Sequence, residues 1–403
     1  MDMVTDPRPA ARAQLAAQGW IPRKAELFRH LPPPPAAVWL GESASCDDGP
    51  ADCGWSLQQV PGAAGAQAEL RWFDMAHAAQ RAKLLSGLPL PGDDAAAAFA
   101  WAHRALLRHA LRVRVGAAGP GAPATVLHLA HRGHAAVEAP LLLLEVEAGA
   151  HCVLLETHER AAGAAVVQNL QVHVTLEQGA RLQHLRSVAP GAGDRLAHHV
   201  RVRLARDADY AQCLLAEAGA YHLQRNVFDL QGDGAQARAS GVLLGGAGAL
   251  EQQVLVRHEA ARTRSAVEVL ALPGASAQMV ASAHTRIAAG CDEAQVHQRL
   301  AGIPVAGQPR IVLRPHLEIH HDQVQAAHGA TWGALPEDAL FHARQRGLDE
   351  AAARSLIVAG MARAVLARAI DEASLPPALR LEDALAAVLT RQFGIAVTEA
   401  AHG

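Results

Sequence analysis

The sequence predicts a mostly β protein, a solenoid flanked by helical segments at both ends, on three observations. Between about Thr125 and Arg310, short strand-like runs follow one another with no helical window of convincing length among them. A turn of similar form precedes new strands at Gly149-Ala150, Gly179-Ala180, Asp209-Tyr210, Gly234-Ala235 and Gly274-Ala275. These turns recur at intervals of about 25 to 40 residues, the period range of repeat architectures. Outside this stretch the apolar residues fall at three- and four-residue spacing, the pattern of helices. The lack of intervening helices disfavours a βαβ sheet. A parallel β-helix is preferred to a sandwich or barrel, because inward positions of successive coils stack while the turns absorb length variation.

Taken in order, residues 6–31 have a helical pattern, and Pro32–Pro35 form a rigid extended break. Asp93 opens a further helix over 93–109, and the loop Gly116–Pro123 closes the N-terminal region. The strand-like runs are Thr125–Leu129, Leu141–Glu147, Cys152–Thr157, Gln171–Leu176, Arg181–Leu185 and His199–Leu204. Gln212–Glu217, Leu223–Leu230, Gln253–His258, Ala266–Ala271 and Gln278–His284 continue them. Pro315–Leu356 opens as a strand, turns at His328-Gly329-Ala330 and becomes two short helices. Pro336 sits at the first helix start and Gly347 at its end, and Asp349 offers an N-cap to the second, with Glu350 in its first turn. Leu356-Ile357, Met361, Val365 and Ile370 share one helical face. Pro376-Pro377 separates that helix from a last one carrying Leu381, Leu385, Val388-Leu389 and Phe393, ended by Gly394.

At 403 residues the chain exceeds one compact core. We divide it into a helical and mixed region (1–122), a β-helix core (123–334) and a C-terminal helical domain (335–403). A net charge of −3 argues against nucleic acid or an anionic membrane as partner. Two lysines, Lys24 and Lys83, stand against 34 arginines, a bias that a GC-rich genome explains. The first residues lack the basic and apolar regions of a signal peptide, and no apolar run can cross a bilayer, so a cytoplasmic protein is expected. The five cysteines are widely spaced and odd in number, which disfavours a disulfide framework. Cys46 and Cys53 are a weak zinc signal, with no nearby histidine. Cys152, Cys213 and Cys291 lie in or beside strands and read as inert buried thiols.

No GxxxxGK[ST] loop is present, so the chain does not cradle a nucleotide in the P-loop manner. GxSxG, HExxH and a true GxGxxG are also missing, and Gly245-Gly246-Ala247-Gly248 reads as a flexible turn. Nothing argues for an autonomous enzyme, and no residue speaks for or against a flavin. Among 23 histidines, strand parity places His316, Glu318, His320 and Asp322 on one face, with Leu317 and Ile319 on the other. That face is either a solvated strand surface, the preferred reading, or a site for iron or zinc.

The run PHLEIHHDQVQAAHGATWGALPEDALFHARQRGLDEAAARSL resembles the C-terminal signature of the SufB/SufD family of iron–sulfur cluster assembly proteins. Leu317-Glu318-Ile319, Asp322, Val324, His328-Gly329-Ala330-Thr331, Gly333 and Leu335 fall in register with that signature. Glu337, Leu340-Phe341, Arg346-Gly347 and Ala353-Arg354 continue the match. Gly19 to Glu26 is similar to a G-[LIW]-P-x-[RK]-x-E motif near the N-terminus of SufD proteins, with Phe28 where a tryptophan often follows. The resemblance implies a right-handed parallel β-helix and a scaffold that pairs with a SufB-like paralogue and docks a SufC-like ABC ATPase. A cysteine desulfurase or sulfur carrier acts upstream.

It also implies site residues. His328 matches the histidine of a C-x-HGA run thought to help build a nascent, shared cluster at the SufB interface, where the partner contributes a cysteine. The family's cysteine two residues earlier is Ala326 here. Thiolates are the natural cluster ligands, so this loop offers at most an imidazole, which fits SufD better than SufB. His328 is therefore the candidate metal ligand, with Gly329, Glu318 and Asp322 around it at the interface; a histidine bonded to its own turn is the alternative. Pairing is expected through strand edges near Arg310–Val324. Leu340, Phe341, Arg346, Leu356 and Met361 are the expected ATPase-docking residues. A stand-alone β-helix enzyme acting on polysaccharide is the competing reading. An aromatic content of 3% disfavours it, because sugar clefts carry stacking rings.

Overall fold

The computed structural model describes residues 6–41, 54–58, 60, 68–92, 94–119, 122–133, 135–159, 163–370 and 382–393. Cys46, Cys53, Asp93, Pro376-Pro377, Leu381 and Gly394 lie outside these residues. Strands take 46% of the described residues against 22% in helices, which makes the class mostly β. From His109–Val115 to Val324–Trp332, successive strands alternate between two parallel sheets and form a β-solenoid of about eight coils. We term sheet A the one ending in Val324–Trp332 and sheet B the one ending in Arg310–Ile319. Arg181 pairs with Asp209, and Gln236 with Arg264, so a coil takes about 28 residues.

The two ends of the solenoid differ. At the start, Trp55–Gln58 caps sheet A and Ala68–Asp74 caps sheet B, each antiparallel to its neighbour. At the far end, Arg310–Ile319 and Val324–Trp332 are the outermost strands among the described residues. Six of the sheet B to sheet A turns place a residue in the left-handed region, and Gly149 (φ 70°), Gly179 (66°) and Gly234 (73°) take it without Cβ strain. Asp207 (56°), Arg262 (55°) and Glu293 (60°) hold the same place in other coils. The turn expected at Asp209-Tyr210 is therefore centred earlier, and Asp209 opens the strand Asp209–Glu217.

Among the strands that escaped the sequence reading, Gln236–Gly245 and Ala294–Gly302 did so for physical reasons. In Gln236–Gly245, small residues make room: Ser240 Oγ donates to Leu366 O at 3.2 Å beneath a covering helix. A Cβ on Gly241 would stand 2.3 Å from Gln252 Oε1, so a side chain there would displace the buried Gln252 amide. Ala294–Gly302 alternates buried and exposed along its length, but Val296 and Leu300 are its only large apolar inward residues, which weakens the period-two signal.

Among the described residues the helices are α1 (Pro7–Gln18), α2 (Ala36–Leu40), α3 (Ala78–Ser86), α4 (Ala97–Leu106), α5 (Glu337–Gln345), α6 (Glu350–Ala369) and α7 (Glu382–Phe393). The helix expected over 6–31 stops at Gly19, and the one expected over 93–109 gives way to a strand at His109. Asp349 caps α6, accepting from Ala352 N–H at 2.7 Å, and Gly347 adopts φ 89° after α5. Phe28, Trp39 and Phe99 pack on Tyr221, Leu223 and Val280, so the N-terminal helices cover the outer face of sheet B. The C-terminal helices cover sheet A: Val358, Ala362, Val365 and Leu366 meet Cys213, Leu215, Val242 and Leu244. These helices thus lie along a flank of the solenoid, and most of their apolar stripe is satisfied within the chain. Burial of each such side chain contributes roughly 1.5–3 kcal/mol.

The interior is apolar over most of its length but holds a polar section in the early coils. Glu156, fully buried, lies 2.6 Å from His158 Nε2 and 2.9 Å from His184 Nε2, and accepts from Arg186 Nε at 3.0 Å and Nη2 at 2.8 Å. Arg186 Nη1 also donates to Gln224 Oε1 at 2.8 Å. Burial alone raises the Glu156 carboxyl, but the Arg186 guanidinium and the two imidazoles hold it well below its ordinary value. Cys152, Cys213 and Cys291 are buried and form no disulfide among the described residues, and burial pushes the Cys152 thiol up to about 12, so it is inert.

Candidate functional site at the open end of the solenoid

Among the described residues the last coil has no coil above it. Val324–Trp332 is exposed at every position after Val324, whereas the strand beneath it buries alternate residues. His328 pairs with Gln298, which is 1% exposed and inward-facing, so His328 stands on the inward face of the solenoid at its open end. Gln298 Nε2 donates to Thr285 Oγ1 at 2.7 Å and to His316 O at 3.2 Å, while its Oε1 is buried without a partner. Val324, Ala326, Ala330 and Trp332 share that face with His328 by parity. Across the coil, Leu313, Leu317 and Ile319 continue the inward face of sheet B. The result is a largely apolar end surface with one imidazole in it, on which Trp332 is 74% and Ile319 44% exposed.

This geometry corrects the expected turn at His328-Gly329-Ala330. The turn lies at His320–Gln323, and the HGA run is mid-strand. Gly329 is not demanded by a close approach, because a Cβ there meets nothing within 4 Å. With no turn at His328, the alternative of a histidine bonded to its own turn falls. The imidazole makes no hydrogen bond to any described residue and is exposed.

Backbone parity defines the free edges. Arg310 N–H donates to Ala277 O and His320 N–H to Ile287 O, so even-numbered residues of Arg310–Ile319 bond inward to the sheet. The odd-numbered ones face outward, and Pro315 removes one donor from the middle of that edge. In Val324–Trp332 the parity reverses: Gly333 N–H donates to Gly302 O, which leaves the His328 backbone on the free edge.

The second expected cluster assembles only in part. Glu318 lies 2.6 Å from His320 Nε2, 3.3 Å from Arg286 Nε and 3.5 Å from His284 Nε2, and the His284 and His316 rings meet edge-on at 4.5 Å. The His320 hydrogen bond, with Arg286 and His284 nearby, holds the Glu318 carboxyl below its usual range. Because the strand ends at Ile319, Asp322 falls in the turn and does not join them. His321 instead lies 2.5 Å from Asp292 of the preceding coil. The face is a solvated ladder of ion pairs. Among the described residues, no three His, Cys, Asp or Glu side chains are placed to hold a metal ion.

Of the expected docking residues, Phe341 (58%) and Leu356 (48%) are exposed large apolar side chains and Arg346 is exposed, while Leu340 and Met361 are partly buried against sheet A. The sequence reading missed Trp332. Its signal was the period-two series Val324, Ala326, His328, Ala330, Trp332, which a strand carries and a turn does not.

Two comparisons bear on identity. The family model described as SUF system FeS cluster assembly, SufBD core domain, matches residues 129–361, more than half of the chain. An iron-sulfur cluster assembly SufBD family protein of Synechocystis sp. is 33% identical over 104 residues, 26% of this chain. That match spans 23% of the relative's own length. No helix among the described residues is long and apolar enough to cross a membrane. The solenoid, the HGAT strand that closes it and the family model over both agree: this chain belongs to the SufB/SufD family of iron–sulfur cluster assembly proteins.

Proposed function

We propose that the chain is a SufD-type, non-catalytic scaffold subunit of a cytoplasmic complex that assembles iron–sulfur clusters. It pairs through its last coil with a SufB-like paralogue and docks a SufC-like ABC ATPase through the exposed side of the C-terminal helices. The sulfur comes from a cysteine desulfurase or carrier, and the nascent cluster is cargo shared with the paralogue. The observation that carries the reading is the uncapped end: an apolar surface with two free strand edges, opposite an end that the chain caps itself. A second solenoid end of similar cross-section covers such a surface and satisfies its edges. His328 then lies within the joint, where an imidazole from this side meets thiolates from the other. Ala326 leaves this side without a thiol of its own.

Trp332→Glu tests the pairing. Trp332 is 74% exposed, so the isolated chain keeps its melting temperature. Affinity for the paralogue, read by titration calorimetry, is expected to fall about thirtyfold or more, the scale of a buried hot-spot tryptophan. Unchanged affinity refutes pairing through this end.

Docking of the ATPase is tested by Phe341→Asp combined with Leu356→Asp. Deleting the helices is uninformative, since it strips the cover from sheet A. The double variant is expected to fold normally and to lose roughly tenfold or more in ATPase affinity, with pairing to the paralogue retained. Full retention of ATPase binding removes this surface from the proposal.

A further inference from the structure

A cleft of about 260 Å³ lies between the segment before α4 and the outer face of sheet B, well away from the open end. Four guanidinium groups line it, from Arg201, Arg225 and Arg257 on sheet B and from Arg104 on α4. Two carboxylates are paired with them. Asp229, 1% exposed, takes Arg201 Nε at 2.7 Å and Arg257 Nη1 at 3.0 Å, and Asp94 takes Arg225 Nη2 at 2.6 Å. Arg104 is held by Pro89 O and lies 5.6 Å over the Trp101 ring. Among the described residues these four guanidiniums outnumber the two carboxylates paired with them, so the concavity carries surplus positive charge. Glu251 does not line the cleft; it stands behind Arg225, with its carboxyl raised by burial to about 7.

Two neutral imidazoles complete the floor. Burial holds His173 down to about 3 and His199 well below its ordinary value, so both stay uncharged near neutral pH. His199 Nε2 is buried without a hydrogen-bond partner. The opposite wall is apolar, formed by Leu88, Pro89, Leu90 and Pro91 with Ala97 and Ala100 of α4. Leu90 is 74% exposed, so the mouth is open to solvent. The pairing network holds the guanidiniums in place and leaves N–H groups free on two of them: Arg201 uses only Nε on Asp229 and Arg257 only Nη1, whereas Arg225 spends Nη1 on Gln253 and Nη2 on Asp94. Planar forks fixed in this way match the oxygens of a phosphoryl group.

We propose that this cleft binds a small organic dianion of the phosphomonoester class, its phosphate on the free N–H groups of Arg201 and Arg257 and its organic body against Leu88–Pro91. The surplus of positive charge favours a dianion over a monoanion, and the apolar wall favours an ester over free phosphate. The site does not depend on the proposed role in cluster assembly, since none of its residues lies in the last coil.

The test is calorimetric titration of the full chain at low ionic strength with three probes: phenyl phosphate, inorganic phosphate and benzenesulfonate. Phenyl phosphate is expected to bind most tightly, ahead of phosphate, which lacks the ring, and of benzenesulfonate, which carries one charge. Arg201→Gln is expected to weaken phenyl phosphate binding about tenfold, the loss of one charge-assisted contact. Arg203→Gln, two residues along the same strand and outside the cleft, is the control and should change affinity little. No binding of phenyl phosphate at millimolar concentration overturns the proposal. So does equal binding of benzenesulfonate, or an equal loss in both variants, which marks general surface charge. A melting temperature for Arg201→Gln matching the parent chain ties its lost affinity to the cleft; unfolding moves the same test to Arg257→Gln.

Discussion

Glu156→Ala is expected to destabilise the chain by about 3–5 kcal/mol, the cost of breaking a buried ion pair by removing one partner. The variant leaves the Arg186 guanidinium with no exposure and with Gln224 as its remaining neutral partner. It also strips His158 and His184 of the acceptor they share. Urea unfolding followed by tryptophan fluorescence measures the loss. Replacing both partners at once, Glu156→Leu with Arg186→Leu, should recover most of it. In register, Glu156 stacks on Leu129 and Arg186 on Leu214, so leucines at both places continue an apolar column. A loss below about 1 kcal/mol for the single variant contradicts the account, because it means water or another group already compensates the arginine.

His328→Ala is expected to lower cluster accumulation in the co-expressed complex about tenfold or more, the scale on which metal sites respond even to loss of a group supporting a ligand. Visible absorbance and bound iron are the readouts. The imidazole touches no core and makes no hydrogen bond to a described residue, so chain stability should shift by less than about 0.5 kcal/mol. Assembly with the paralogue should survive, since one exposed imidazole is a minor part of the apolar end surface. His320→Ala and His321→Ala are expected to have small effects, because these rings pair with Glu318 and Asp292 and not with the open face. Normal cluster accumulation in His328→Ala ends the ligand role. A loss accompanied by dissociation of the complex ends it equally, assigning His328 to the interface alone.

The sequence by itself determined the architecture. Turn residues at coil-length spacing and period-two runs establish a solenoid because every coil repeats one local solution, so the errors of single strands average out. Caps such as Asp349 and stops such as Gly347 were legible because a helix end is a local hydrogen-bonding problem. The family was legible in the forty residues around HGAT, where many side chains stand at fixed spacing.

The tertiary structure alone decided what each face meets. His328 reads as a turn residue because of Gly329, yet pairing with Gln298 extends the strand through it, and a ladder of backbone hydrogen bonds outweighs one glycine's propensity. The stripes of α5 and α6 read as a partner surface, yet sheet A supplies the apolar cover, leaving Phe341 and Leu356 as their exposed large apolar side chains among the described residues. Glu156 and Arg186 stand in strands of different coils and reveal no mutual contact in sequence, because in-register stacking brings together residues some thirty positions apart. The cleft over Arg201, Arg225 and Arg257 is legible only once coils have stacked those side chains beneath the segment before α4. Local periodicity is written in the chain, but which surfaces remain uncovered depends on contacts between distant coils.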